Sequence, residues 1–242
     1  MNKMKVIILA AGKGERLGEV TRNIPKPMIR VKGKPILENN ILLCKKSGFN
    51  EILINLYHRP EVITEYFKDG SDFGVKISYY LENKILGTAG AVVPMIQELG
   101  ESPFFILYGD NFLEIDLKSV IEFHREKQSD FTIVTHKRED VTSSGVVVLD
   151  NEMAVTDFVE KPRSRIPDSN WVNAGIYLIS SINIIKNIIE PNDDFGYDII
   201  PLLLKNNHRL FGYKIKQQVW AIDTPEMLHK TVNEHQISKT YA

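Results

Sequence analysis

The sequence holds a single cysteine, Cys44, among 242 residues. An internal disulfide is therefore excluded, and a reducing compartment is expected. Its neighbours Asn40-Ile41-Leu42-Leu43 make Cys44 a small apolar core residue in expectation. Long hydrophobic runs are missing as well. The apolar stretch behind the basic start Met1–Lys5 stops at Ala11, where Gly12-Lys13-Gly14-Glu15-Arg16 follows. That is too short for a signal core or a bilayer span. Neither sign of charge is in excess: 30 Lys and Arg stand against 31 Asp and Glu, a net charge of -1. There is thus no overall electrostatic footprint for nucleic acid or an anionic membrane. Repeats, low-complexity tracts and Gly/Ser linkers are absent too. Together these absences predict a cytoplasmic globular protein with neither nucleic acid nor membrane as partner. A homo-oligomer stays open.

What is present is an alternation of strand and helix patterns. With 43% hydrophobic residues the chain can fill one sizeable core. Met4 to Leu9 is a continuous apolar run, as in a strand buried on both faces. Pro35 to Lys46 is an amphipathic helix with Pro in its first turn and Gly48 past its end. Strands are expected at 51–56, 75–81, 103–107 and 131–135, with helices at 60–68, 88–99 and 117–127 between them. Asp116 is placed to cap the last of these. This order predicts an α/β fold with a mostly parallel, Rossmann-like central sheet covered by helices. Past residue 140 the pattern changes. Gly145–Leu149 and Val155–Val159, divided by Asp150-Asn151-Glu152, read as an antiparallel hairpin. Trp171–Ile179 reads as a further strand and Pro225–Ile237 as a closing helix. Ligands on such sheets bind beyond the carboxyl ends of the strands, so chemistry is sought after Leu9, Leu81 and Leu107.

After Leu9 comes Ala10-Ala11-Gly12-Lys13-Gly14-Glu15-Arg16, then Pro25-Lys26-Pro27-Met28. Glycines behind a buried strand let the backbone ring a phosphate. The third glycine, Gly18, has the wrong spacing for a dinucleotide fingerprint, and no Gly-Lys-Ser/Thr follows. One arginine and one lysine beside such a loop suit a triphosphate, and the flanking prolines help aim Lys26. In Phe105-Ile106-Leu107-Tyr108-Gly109-Asp110, a carboxylate at the end of an apolar strand is placed to hold a hard cation, Mg2+ in particular.

The run from Leu9 to Met28 resembles the signature of the sugar-1-phosphate nucleotidyltransferases, and the resemblance extends from about Lys5 to Leu228. It implies that Arg16 and Lys26 meet the triphosphate, with Leu9, Ala11, Gly12 and Gly14 in the nucleotide cradle. Where the family often has Gly-Thr-Arg, this chain has Gly14-Glu15-Arg16, so no role passes to the side chain at 15. The stretch from Glu82 through Leu86-Gly87-Thr88-Ala89-Gly90 is similar to the loop that lines the nucleobase pocket in mannose- and heptose-directed guanylyltransferases. Glu82, Gly87 and Thr88 are therefore nucleotide-binding candidates. Asp110 matches the family's metal site. Asp223 is the candidate second ligand, although the family's Asp-Ile-Gly-Thr-Pro, aligned on Thr224-Pro225, puts its aspartate on Ala221. Gly145, Glu160, Lys161 and Asn173 match the sugar-phosphate pocket.

On this resemblance the chain is one domain over 1–242, with a nucleotide-binding half over about 1–135. The rest holds a small antiparallel sugar-binding region and the closing helix. The expected reaction joins a nucleoside triphosphate to a sugar 1-phosphate and releases pyrophosphate, with a lean to GTP and mannose or heptose 1-phosphate. A phosphate monoester is already largely dianionic at neutral pH, so no general base is required, and no histidine falls in these motifs. Three other readings stay open: a cytidylyl- or uridylyltransferase acting on another phosphorylated small molecule, a non-catalytic sugar-nucleotide-binding protein, and a nucleotide-sugar-dependent glycosyltransferase. The last would want Asp-x-Asp where Gly109-Asp110-Asn111 stands.

Overall fold

Val6, Ile7 and Ile8 are all completely buried, and their alternate side chains feed two separate cores. They lie on β1 (Lys5–Leu9), the strand expected from the first apolar run. The computed structural model describes residues 4–112, 114–217, 219–222, 226–228 and 231. A small hairpin, β2 (Arg30–Val31) and β3 (Lys34–Pro35), leads into α1 (Ile36–Lys46), followed by β4 (Glu51–Leu56), α2 (Pro60–Phe67) and β5 (Lys76–Leu81). Then come α3 (Ile96–Leu99), β6 (Phe104–Tyr108), β7 (Asn111–Phe112), α4 (Leu117–Glu126) and β8 (Phe131–Lys137). The hairpin β9 (Gly145–Leu149) and β10 (Val155–Glu160) precedes β11 (Trp171–Ile179), α5 (Ile200–Lys205), β12 (Leu210–Lys214) and β13 (Trp220–Ala221).

Nine strands form one sheet. β5, β4, β1 and β6 run parallel in that order. β11 then pairs antiparallel with β6 and β8, and β12 lies parallel on β8. The hairpin joins through a single pairing, Val172 with Val146. One core packs Leu37, Ile41 and Cys44 of α1, Ile63 and Phe67 of α2 and Leu117 and Val120 of α4 on one face. The other gathers Met95, Leu99, Phe195 and Leu203 on the opposite face. Fully burying each such side chain contributes about 1.5–3 kcal/mol. Cys44 is a core residue as expected, its thiol pushed up to about 12 by burial. Asp116 caps α4, accepting from Lys118 N at 3.0 Å and Ser119 Oγ at 2.7 Å.

One expected element differs. In place of a helix over 88–99 the chain makes a 3-10 segment at Gly90–Met95 and a single turn of α-helix at α3. Pro94 lies inside the segment and supplies no N–H. The start of the segment is pinned from outside: the amides of Ala89 and Gly90 both donate to Asp193 O, at 3.0 and 3.2 Å. No helix among the described residues is long and apolar enough to cross a membrane.

The chain departs from β1 toward β4 on one side and returns to β6 on the other, so a topological switch point falls between β1 and β6. Their carboxyl ends, Leu9 and Tyr108, open onto the same crevice.

Candidate active site

Three adjoining cavities open at this switch point. One, about 270 Å³, is lined by Leu9, Ala11, Gly12, Glu82, Gly87 and Thr88. A second runs along Gly12, Gly14 and Arg16. The third, about 220 Å³, holds Gly145, Glu160, Lys161 and Asn173. Asp110 lines all three, Lys26 the first two and Arg16 the last two. Residues far apart in the chain, from Leu9 to Asn173, thus converge on one carboxylate.

Lys26 is buried on the 3-10 turn Lys26–Met28, and its ammonium donates to Asp110 Oδ2. The glycine loop reaches this point because Gly14 has φ 67°, the left-handed region. A Cβ there would also lie 2.9 Å from Thr21 Cγ2. Gly14 O accepts from Leu17 N at 2.9 Å and Thr21 Oγ1 at 2.8 Å, which closes the turn that carries Arg16.

Glu82 lines the first cavity, but its oxygens are engaged by the chain. Oε1 accepts from Asn55 Nδ2 at 2.7 Å and Oε2 from Leu86 N at 2.9 Å. Asn55 Oδ1 in turn accepts from Ala10 N at 2.8 Å, so Glu82 braces the glycine loop to the loop that begins at Leu86. Thr88 turns its hydroxyl to Asp194 Oδ2 at 2.7 Å and accepts from Phe195 N at 2.9 Å. The amides of Ala89 and Gly90 are already taken by Asp193 O, so neither is open to a ligand behind Gly87.

Asp194 was not singled out by sequence. Its other oxygen accepts from Gly196 N at 2.8 Å and Tyr197 N at 3.1 Å, capping a π-turn at Phe195–Ile199. This turn presses Gly196 against the carboxylate of Glu160. A Cβ on Gly145 would lie 2.5 Å from Glu160 Oε2 and from Phe158 Cζ, so a side chain at either glycine would have to displace the Glu160 carboxylate. Burial raises the pKa of Glu160; Lys161 opposes this and Asp194 adds to it. Lys161 Nζ is 3.4 Å from Glu160 Oε1 and lies over the Tyr197 ring at 5.7 Å. Its backbone has φ 44°, a strained conformation for a side-chain-bearing residue, held by its amide on Ser144 O at 3.1 Å. Asn173 Oδ1 accepts from Gly175 N at 2.8 Å, and its Nδ2 donates to Tyr177 Oη at 2.5 Å.

His136 lines the third cavity, although no histidine was expected in the site. It is only 5% exposed, and burial followed by the nearby Arg138 charge pushes its imidazole down to about 4. It is therefore neutral near pH 7.

Asp223 lies outside the described residues. The chain just before it is described: Ala221 pairs with Asn111 and Trp220 with Phe112, so β13 runs beside β7, immediately after Asp110. Among the described residues no group of three or more His, Cys, Asp or Glu could enclose a metal. A hard cation on Asp110 would draw its other oxygens from phosphates and water, the donor set that magnesium commonly takes.

Residues 5–225 match the family model described as Nucleotidyl transferase. A UTP--glucose-1-phosphate uridylyltransferase of Synechocystis is 38% identical over 216 residues, which is 83% of this chain and 55% of that protein. A mannose-1-phosphate guanyltransferase of Schizosaccharomyces pombe is 34% identical over 229 residues, 92% of this chain and 62% of its own. The chain therefore spans a little over half the length of these relatives. HddC from Yersinia pseudotuberculosis, solved alone and complexed with GMP-PN, superposes with TM-score 0.80 at 28% identity, over 96% of this chain and 99% of its own.

Proposed function

The chain belongs to the nucleotidyl transferase family, and we propose that it transfers a nucleotidyl group from a nucleoside triphosphate to a sugar 1-phosphate. The observation that carries this reading is Asp110, shared by three cavities, with Lys26 and Arg16 each lining two of them. A reaction between two phosphates needs such a junction, because like charges must be brought together there.

In this reading the nucleoside lies over Leu9, Ala11 and Gly87, and the phosphates pass along Gly12–Arg16. The sugar phosphate occupies the cavity of Gly145, Glu160, Lys161 and Asn173. An oxygen of the sugar phosphate attacks the α-phosphorus, the bond to the β-phosphate oxygen breaks, and pyrophosphate leaves. The attacking oxygen carries no proton to remove, since the monoester's second pKa is about 6. Catalysis then rests on alignment and on charge already in place. Lys26 exchanges the Asp110 carboxylate for the α-phosphate, Arg16 holds the departing pyrophosphate, and Lys161 steadies the incoming phosphate. Mg2+ bound at Asp110 would neutralise phosphate charge; Asp223 is proposed as its second carboxylate.

GTP with mannose or heptose 1-phosphate is the favoured pair. The loop Leu86–Gly90 supports it, as does the likeness to a mannose-1-phosphate guanyltransferase and to HddC, which was solved with GMP-PN. The uridylyltransferase relative makes UTP with glucose 1-phosphate the pair to set against it. Competition in one reaction mixture, with the products separated by mass, decides between them. A product containing uridine and hexose alone would overturn the guanine assignment.

A further inference from the structure

The outer wall of the sugar cavity carries a cation that none of the roles above employs. Arg138 lies just past β8 and lines the same cavity as Glu160, Lys161 and Asn173. It is half-buried, and its Nη1 donates to Ser144 Oγ at 2.9 Å. Its amide donates to Asn170 O at 3.0 Å, which anchors the backbone from which the side chain enters the cavity. Among the described residues no carboxylate forms an ion pair with its guanidinium, whereas Arg165 and Arg209 each have one, at 2.7 and 3.4 Å. A guanidinium offers five N–H donors in a planar fork suited to carboxylate or phosphate oxygens. Ser144 accounts for one of them.

A second observation points at the same wall. Nδ1 of His136, two residues earlier on the strand and also lining the cavity, is buried without a hydrogen-bond partner among the described residues. Leaving such a group unpaired costs free energy unless a partner arrives. His136 is neutral there, so of these two residues Arg138 is the one that brings positive charge to the cavity. The backbone also ties this wall to Lys161, since Ser144, which holds Arg138, accepts from the amide of Lys161. Arg138 and Lys161 are therefore held by a shared residue and line one small cavity. Lys161 by itself is a poor match for a phosphate dianion, because Glu160 stands 3.4 Å away and offsets its charge.

We propose that Arg138, positioned by Ser144, is a substrate-binding residue that grips an anionic group of the sugar substrate through its guanidinium fork. The inference rests on the sugar-1-phosphate reading of this cavity. The anion is the 1-phosphate itself or a second acidic substituent on the sugar; both present the same oxygen chemistry to the fork.

The test compares wild type, Arg138→Gln, Arg138→Lys and Ser144→Ala at saturating nucleoside triphosphate. The sugars are a neutral hexose 1-phosphate and a hexuronic acid 1-phosphate. Arg138→Gln is expected to raise the KM for sugar 1-phosphate at least tenfold while the KM for triphosphate stays within twofold. Arg138→Lys should recover only part of the loss, since a point charge lacks the fork. A loss on both sugars assigns the anion to the phosphate; a loss confined to the uronic acid assigns it to the substituent. Unchanged KM for both sugars in Arg138→Gln overturns the proposal. Titrating the neutral hexose 1-phosphate and the hexuronic acid 1-phosphate calorimetrically, into wild type and Arg138→Gln, separates this from the reaction itself. Should wild type turn over no pair yet bind either sugar phosphate more tightly than the variant, the function fails and the Arg138 site stands. Equal binding of both sugars by both proteins refutes the site. Thermal unfolding of each variant, expected within about 2 °C of wild type for a half-exposed substitution, excludes misfolding as the cause.

Discussion

The Lys26 ammonium donates to Asp110 Oδ2 across 84 residues of chain, joining the turn after the glycine loop to the loop after β6. Lys26 is nearly buried, while Asp110 remains partly open to the cavities it lines. In the proposed function each exchanges its partner, Lys26 for a substrate phosphate and Asp110 for a metal.

Lys26→Ala is expected to lower kcat on the order of 10²–10³-fold, the scale for removing one preorganised charge from a reacting centre. The KM for sugar 1-phosphate should change far less. Steady-state pyrophosphate release measures both, and wild-type kcat in the variant would remove Lys26 from the chemistry.

Asp110→Asn keeps the shape and removes the charge. Magnesium-dependent activity should be abolished over a titration that saturates wild type. The fold should lose about 1–2 kcal/mol, below the cost of breaking a fully buried pair because Asp110 is partly exposed. A variant with a normal metal response would place the cation elsewhere.

Thr88→Val deletes a hydroxyl that donates to Asp194 and accepts from Phe195 N, a link across 106 residues. The change should cost about 1–3 kcal/mol, because Asp194 and the Phe195 amide are left with one partner fewer. Tm should then fall by about 2–4 °C per kcal/mol for a chain of this size. The KM values for both substrates should rise together, since the link ties the nucleotide loop to the π-turn behind Glu160. An unchanged Tm would mean the link is not maintained in solution.

Glu160 makes a prediction about pH. Burial raises its carboxyl pKa, so the folded chain holds that proton more tightly than the unfolded chain. Its contribution to stability is then fully present below the unfolded value, about 4.3, and is lost as pH rises through the folded value. Glu160→Gln does not titrate. It should therefore be more stable than wild type near neutral pH, with the advantage shrinking as the pH falls toward 4. Thermal unfolding across this range measures it, and an advantage that grows toward acid would contradict the assigned shift. Sugar-phosphate binding should weaken in the same variant.

Much of the frame was legible because it is written locally. Val6–Ile8 and Glu51–Leu56 are buried runs with punctuated ends, and both became parallel strands of the sheet. The segment 88–99 misled because an apolar period is equally compatible with a 3-10 turn, and the deciding bonds come from Asp193, a hundred residues away. β12 was not expected, although Leu210–Lys214 pairs along its whole length with β8. Asp194, His136 and Arg138 were missed for a related reason: none belongs to a motif, and each reaches the site only through tertiary pairing. Glu82 was singled out by resemblance, and its carboxylate is engaged by Asn55 and Leu86, contacts that no spacing rule discloses. The register of Ala221 against Asn111 brings the segment before Asp223 beside Asp110, while Asp223 itself lies outside the described residues.

The most direct test of the account is pyrophosphate release by the wild-type chain with Mg2+, crossing nucleoside triphosphates against a panel of sugar 1-phosphates. The account predicts robust release with one favoured pair, lost when Mg2+ is chelated and in Asp110→Asn. No release with any pair, together with tight binding of a finished nucleotide sugar, would contradict it and leave a binding protein built on the same fold.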